Sequence, residues 1–194
     1  MNTLIKGADL LGAGRQDVLI SDSVISAIGT LDPSARTIDE TIDADGLVAL
    51  PGLVDLHTHL REPGREDAET IASGSAAAAI GGFTAILAMA NTTPVTDTAE
   101  AAERVLDLGR LAGLVDVQPV GAVTKGLDGE ELAELGLMAH SRAHVRVFSD
   151  DGKCVHDAAL MLTGPGTGQG FRRGGVPALA GPQTGRPPGL LPRG

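Results

Sequence analysis

The stretch VDLHTHLREPG, residues 54–64, places two histidines one residue apart and an arginine directly beyond them. Side chains at i and i+2 of a strand point the same way, so His57 and His59 project together from the end of an apolar run. Two neutral imidazoles so placed can grip one borderline-soft cation such as Zn²⁺. The alternative is a pair of surface histidines that merely lie close. Arg61 carries a planar fork of donors that matches a carboxylate in bidentate fashion, or is an ordinary solvated side chain. Further on, VRVFSDDGK (145–153) sets Asp150 and Asp151 where a strand opens into a loop. Adjacent carboxylates there either coordinate a metal or make a turn with Gly152. Asn91, in MANTTP (89–94), follows another strand end, where it hydrogen-bonds a substrate or starts a turn.

The elements that must hold these residues can be read from hydrophobic patterning. From Leu53 onward, LVDLH (53–57), FTAILAMA (83–90), VDVQPVGAV (115–123) and HVRVFSD (144–150) are near-continuous apolar runs, as buried parallel strands require. Between them, 68–82, 97–113 and 128–140 read as helices, the first built of small residues and ending on glycines. Four strands alternating with three helices make an α/β fold, either a doubly wound sheet or part of an eight-stranded barrel. Before Leu53 there is no helical period. The pieces TLIKGADLL, DVLI, SVISAIG and TIDADGLVAL are punctuated by Gly, Asp and Pro, which predicts a small β-sheet module over 1–50.

Composition narrows the class. The 194 residues are 42% hydrophobic yet hold only three Phe and no Trp or Tyr, so the core is aliphatic. A net charge of −10 argues against nucleic acid or an anionic membrane as partner. The single cysteine, Cys154, excludes an internal disulfide and suits a reducing cytosol. Without an evident basic start followed by an apolar run, or a span-length apolar run, a cytoplasmic protein is expected. Residues 164–194 differ from the rest: ten Gly, six Pro, four Arg and no acidic residue in 31 positions. That composition predicts a disordered tail.

Three segments, PGLVDLHTHLREPG, GGFTAILAMANTTPVTDT and VRVFSDDGKCV, resemble in their order and spacing the dihydroorotases of the amidohydrolase superfamily. The type they resemble is the bacterial one similar to allantoinases and hydantoinases. The resemblance covers roughly residues 1–162. It implies a partial (β/α)8 TIM-type barrel, about its first four β/α units over 51–163, preceded by the small β module. It also implies His57 and His59 as zinc ligands, an aspartate of SDDG bridging two zincs, and Arg61 and Asn91 on the substrate carboxylate. Asp151 is the expected bridge, with Asp150 the alternative. Hydantoinases use a carboxylated lysine there; VFSDDG offers none, and Lys153 lies beyond the loop. The implied chemistry is zinc-dependent, reversible hydrolysis of the cyclic amide of dihydroorotate to N-carbamoyl-aspartate, a step of pyrimidine biosynthesis.

The resemblance also implies metal-site histidines from strands five and six and a general-base aspartate from strand eight, none of which residues 1–163 supply. The expectation is therefore a chain with little hydrolase activity. Reading the codons of 165–184 one base later permits LELVKAFDGVVSQHSQDPRL, a helix and a histidine-bearing strand end, so a frameshift near 162–165 is expected. Competing expectations are another cyclic amidohydrolase (an allantoinase or hydantoinase), or a non-catalytic dihydroorotase-like scaffold binding aspartate transcarbamoylase; self-association into a homo-oligomer is a further expectation. His140, His144 and His156 are read as ending a helix, opening a strand and beginning a helix. Cys154 is read as a small residue beside the loop, without a base to activate it.

Overall fold

The computed structural model describes residues 1–153, 155–158 and 160. The expectations for Cys154, for the 164–194 tail and for the shifted frame lie outside the described residues. The chain divides into two compact units, Met1–Pro51 and Gly52–Gly194.

The first unit is a five-stranded sheet. Strands β1 (Asn2–Leu10), β2 (Arg15–Ser21), β3 (Val24–Gly29) and β4 (Glu40–Asp43) run in the order β3-β2-β1-β4, and β5 (Val48–Ala49) also pairs with β1. The hairpin pairs are antiparallel, whereas β4 and β5 lie parallel to β1. Leu4 and Ala8 of β1 and the adjacent Val18 and Leu19 of β2 are buried. Asp17 ties the sheet to the segment after it, accepting from Gly7 N–H at 2.9 Å and Leu31 N–H at 3.1 Å.

The second unit opens with β6 (Leu53–Thr58), α1 (Ile71–Ile80), β7 (Phe83–Ala88), α2 (Ala99–Ala112) and β8 (Asp116–Pro119). The strands form one sheet in the order β6-β7-β8, parallel throughout, and this is the α/β arrangement the apolar runs predict. Local chemistry sets the helix starts. Thr70 and Ser73 form a reciprocal capping box at α1, and Thr98 accepts from Ala101 N–H at 3.2 Å at α2. On α2 the buried residues Ala102, Val105, Leu106 and Gly109 recur at helical spacing. Val105 packs with Ile71, Ile86 and Val117 over the sheet, while Ala102 and Leu106 face Met138, Val145 and Phe148. No helix among the described residues is long and apolar enough to cross a membrane.

Three elements are markedly shorter than the sequence predicts; the first is the third strand, expected over 115–123, which is β8 (Asp116–Pro119). The fourth strand, expected over 144–150, is reduced to one parallel bridge between Gly121 and Phe148, made by Gly121 N–H to Val147 O at 3.0 Å and Ser149 N–H to Gly121 O at 2.9 Å. Its first residue, His144, turns through φ +45° rather than extending. The third helix, expected over 128–140, is α3 (Leu135–His140) alone. The backbone groups of the missing turns are spent elsewhere: Lys125 N–H donates to Glu131 O at 2.8 Å and Ala133 N–H to Val123 O at 2.9 Å, around an antiparallel bridge from Thr124 to Leu132. His140 does end a helix, with its Nδ1 at 2.7 Å from Gly136 O, whereas His156 is exposed outside any element.

Candidate metal centre

The strand end at β6 is locked to β7 before the histidines appear. Thr58 Oγ1 donates to Leu87 O at 2.7 Å, and Met89 N–H returns a bond to Thr58 O at 2.9 Å. Thr58 therefore points toward the neighbouring strand, and His57 and His59, on either side of it, share the other direction. Asp55 Oδ1 accepts from His57 N–H at 3.0 Å and steadies the backbone there. Beyond the strands, Thr93 N–H donates to Pro63 O at 2.9 Å and joins the two loops. Gly64 (φ +107°) is needed at that join, because a Cβ would lie 2.5 Å from Thr93. In the same loop, the Gly64 N–H bond to Glu66 holds that carboxyl below its ordinary range.

The two imidazoles meet with ring centroids 5.0 Å apart and Nε2 atoms 3.2 Å apart. Asp151 closes the group, with Oδ1 at 3.2 Å from His57 Nε2 and Oδ2 at 3.4 Å from His59 Nε2. One potential ligand atom from each of the three residues falls within 4.8 Å of the others. Shielding increases from His57 through His59 to Asp151, whose side chains are 50%, 29% and 15% exposed. The group is thus reachable from solvent on the His57 side and backed by protein on the Asp151 side. Two imidazole nitrogens and a carboxylate, all aimed at one point, are the donor set that zinc takes.

The aspartates of SDDG have separate roles. Asp150 is buried, and its Oδ1 accepts from Val123 N–H at 2.7 Å and Thr124 N–H at 3.0 Å, while Oδ2 accepts from Thr124 Oγ1 at 2.5 Å. Its lone pairs are taken up by the chain following β8. Asp151 is the one that faces the imidazoles. Asn91 joins the group: its Oδ1 is 3.0 Å from His59 Nδ1, and its Nδ2 donates to Asp151 Oδ2 at 3.0 Å. Arg61 sits two residues past His59, exposed, with φ +60°, and its side chain has no hydrogen bond or ion pair among the described residues. Lys153 pairs with Asp128 at 3.7 Å. Asp55 and Thr124 are site-supporting residues that motif spacing does not reveal; only the i, i+2 relation of Asp55 to His57 hinted at the first.

Residues 46–167 match the sequence profile of the family described as dihydro-orotase-like. The chain is 62% identical over 159 residues to the dihydroorotase of Streptomyces coelicolor, covering 82% of this chain and 37% of that protein. It is 56% identical over 162 residues to the dihydroorotase of Mycobacterium tuberculosis, covering 83% and 37%. The chain thus spans about 37% of the length of these relatives. Among solved structures it resembles a dihydropyrimidinase from Brevibacillus agri (TM-score 0.60, 26% identity, 77% of this chain and 32% of that one). It also resembles an L-hydantoinase from Arthrobacter aurescens (TM-score 0.55, 29% identity, 64% and 29%).

Proposed function

The chain belongs to the dihydroorotase-like family, and from that membership we propose that it carries the strand-one to strand-four part of a zinc-dependent dihydroorotase. In this reading residues 51–163 are the first half of a (β/α)8 barrel, and the preceding sheet is a separate module. The observation that carries the reading is the convergence of His57, His59 and Asp151 past the carboxyl ends of parallel strands, where barrel enzymes assemble their sites.

His57 and His59 would hold one zinc through Nε2 together with Asp151, the carboxylate that would be shared with a second zinc. Zinc would supply Lewis acidity, which polarises a carbonyl and lowers the pKa of bound water to about 7. The substrate is a small cyclic amide bearing a carboxylate, dihydroorotate. Arg61 receives that carboxylate in bidentate fashion, and Asn91 adds an amide N–H. This fixes the ring with its amide carbonyl over the histidine pair. Hydrolysis adds water across the ring C–N bond, the carbon taking the hydroxyl and the nitrogen a proton, and yields N-carbamoyl-aspartate. The reverse reaction closes the ring and releases water. A cytosolic setting suits a chain with a single cysteine.

The test is a chimera in which residues 1–160 replace the equivalent segment of the Streptomyces coelicolor dihydroorotase. Zinc-dependent conversion of dihydroorotate is expected, abolished by His57→Ala and by Asp151→Asn. A folded chimera with no conversion, beside an active parent, would overturn the proposal.

A further inference from the structure

We propose that Asn91 is a positioning residue that sets the tautomer of His59, its carboxamide relaying the choice from Asp151. The inference rests on the zinc reading above and deepens it.

An ionised carboxylate only accepts hydrogen bonds. The Asn91 atom 3.0 Å from Asp151 Oδ2 is therefore the amide nitrogen, because the carbonyl oxygen there would set lone pair against lone pair. With the nitrogen committed, the carbonyl oxygen is the atom 3.0 Å from His59 Nδ1. An oxygen of this kind cannot donate, so Nδ1 carries the ring proton. In the neutral imidazole the lone pair then lies on Nε2. That nitrogen is 3.2 Å from His57 Nε2 and 3.4 Å from Asp151 Oδ2, at the centre of the donor set. Metal-binding histidines almost always have their other nitrogen tied to an acceptor for this reason.

The amide is itself held firmly. It lies three residues past the end of β7, and Thr92 N–H donates to Ala90 O at 2.9 Å while Thr92 Oγ1 donates to Pro94 O at 2.7 Å, which fixes the turn that carries Asn91. Its Nδ2 has two N–H bonds and gives one to Asp151. The second is left for a substrate anion, so one side chain couples the arrangement of the ligands to the place where the acid binds. His57 has no partner on its Nδ1 among the described residues, and it serves as an internal reference.

The experiment is two-bond ¹⁵N–¹H correlation of the imidazole rings in the metal-free 194-residue protein, at about pH 8, above the ordinary imidazole range. His59 is expected to show a protonated Nδ1 and an unprotonated Nε2. Asn91→Ala should move that pattern toward the Nε2-protonated form and leave His57 unchanged. Asn91→Asp, which still accepts from Nδ1 but cannot donate to Asp151, should keep it. Zn²⁺ titration of the same proteins should show Asn91→Ala binding ~10–100-fold more weakly. A wild-type His59 protonated at Nε2 would overturn the relay, and so would a pattern unmoved by Asn91→Ala in a folded protein. If Asn91→Ala does not fold, the wild-type and Asn91→Asp spectra decide. Zinc binding unchanged by His57→Ala would instead sink the metal reading and leave the tautomer result to judge the relay alone.

Discussion

Thr124 Oγ1 donates to Asp150 Oδ2 at 2.5 Å, and the hydroxyl oxygen in turn accepts from Gly129 N–H at 2.9 Å. With the Val123 and Thr124 N–H groups on Oδ1, this buried carboxylate pins the loop that presents Asp151 to the chain after β8. Asp150→Ala strands three donors away from water. A lost buried partner costs about 1–3 kcal/mol, so a loss of at least about 3 kcal/mol is expected for the three. Asp151→Asn, on the partly open side, should cost under ~1 kcal/mol and instead remove zinc binding. Urea unfolding of both variants, with zinc titration of the second, checks the division of labour. Equal destabilisation by the two would contradict it.

Two helical glycines should respond oppositely to alanine. A Cβ on Gly109 would come 2.5 Å from Val117 Cβ, where α2 crosses β8, whereas one on Gly136 meets nothing within 4 Å. Overpacking costs about 1–3 kcal/mol, which outweighs the gain in helix propensity of about 1 kcal/mol. Gly109→Ala should therefore lower the unfolding midpoint, and Gly136→Ala should hold or raise it. The same sign for both would show that the α2–β8 contact is looser than the structure has it.

How much of this was legible in the sequence depends on where the information sits. The strands LVDLH and FTAILAMA and the helices flanked by Thr70 and Thr98 are local patterns, and they form nearly as read. The fourth strand and the first half of the third helix failed for a nonlocal reason. Lys125, Glu131 and Ala133 exchange backbone bonds across a turn, so a helical composition loses to a bridge. At the site, His57 and His59 are adjacent in sequence and easily seen. Asp150 and Asp151 are chemically identical neighbours, and only the position of the Val123 and Thr124 amides separates the clamp from the residue that faces the imidazoles. Asn91 reads as a strand-end amide, but its double contact spans 32 and 60 positions of chain and could not be read locally.

The surface fork of Arg142 predicts a specific pH dependence. Its guanidinium donates to Asp107 at 3.0 and 3.2 Å and to Glu103 at 3.2 Å, fastening the segment after α3 to α2. The hydrogen bond from Arg142 holds the Asp107 carboxyl below its ordinary range. A carboxyl lowered on folding contributes stability above its unfolded pKa, about 3.9, and loses it as pH falls through the folded value. The difference in melting temperature between wild type and Arg142→Gln should thus hold from about pH 7 to pH 5 and shrink below about pH 4. It should also shrink in about 1 M salt, since the pair is exposed. A difference that persists unchanged at pH 2.5 would exclude the pair as its source.

Arg61 offers the sharpest separation of stability from function. It holds φ +60°, a left-handed conformation that costs a non-glycine residue roughly 1–2 kcal/mol. Strain of this kind persists where something other than stability requires the side chain. Arg61→Gly should relax it and raise stability by up to about 1 kcal/mol. The same change removes the guanidinium proposed to take the substrate carboxylate. A charged hydrogen-bonding partner is worth about 1.5–3 kcal/mol, so kcat/KM of the Streptomyces chimera should fall ~10–100-fold. Because the carboxylate is held alike in ground state and transition state, most of that fall should appear in KM rather than kcat. Arg61→Lys keeps the charge but loses the fork, and should fall between the two in KM with the backbone strain unrelieved. A chimera whose KM is indifferent to Arg61→Gly would show that the substrate acid is held elsewhere.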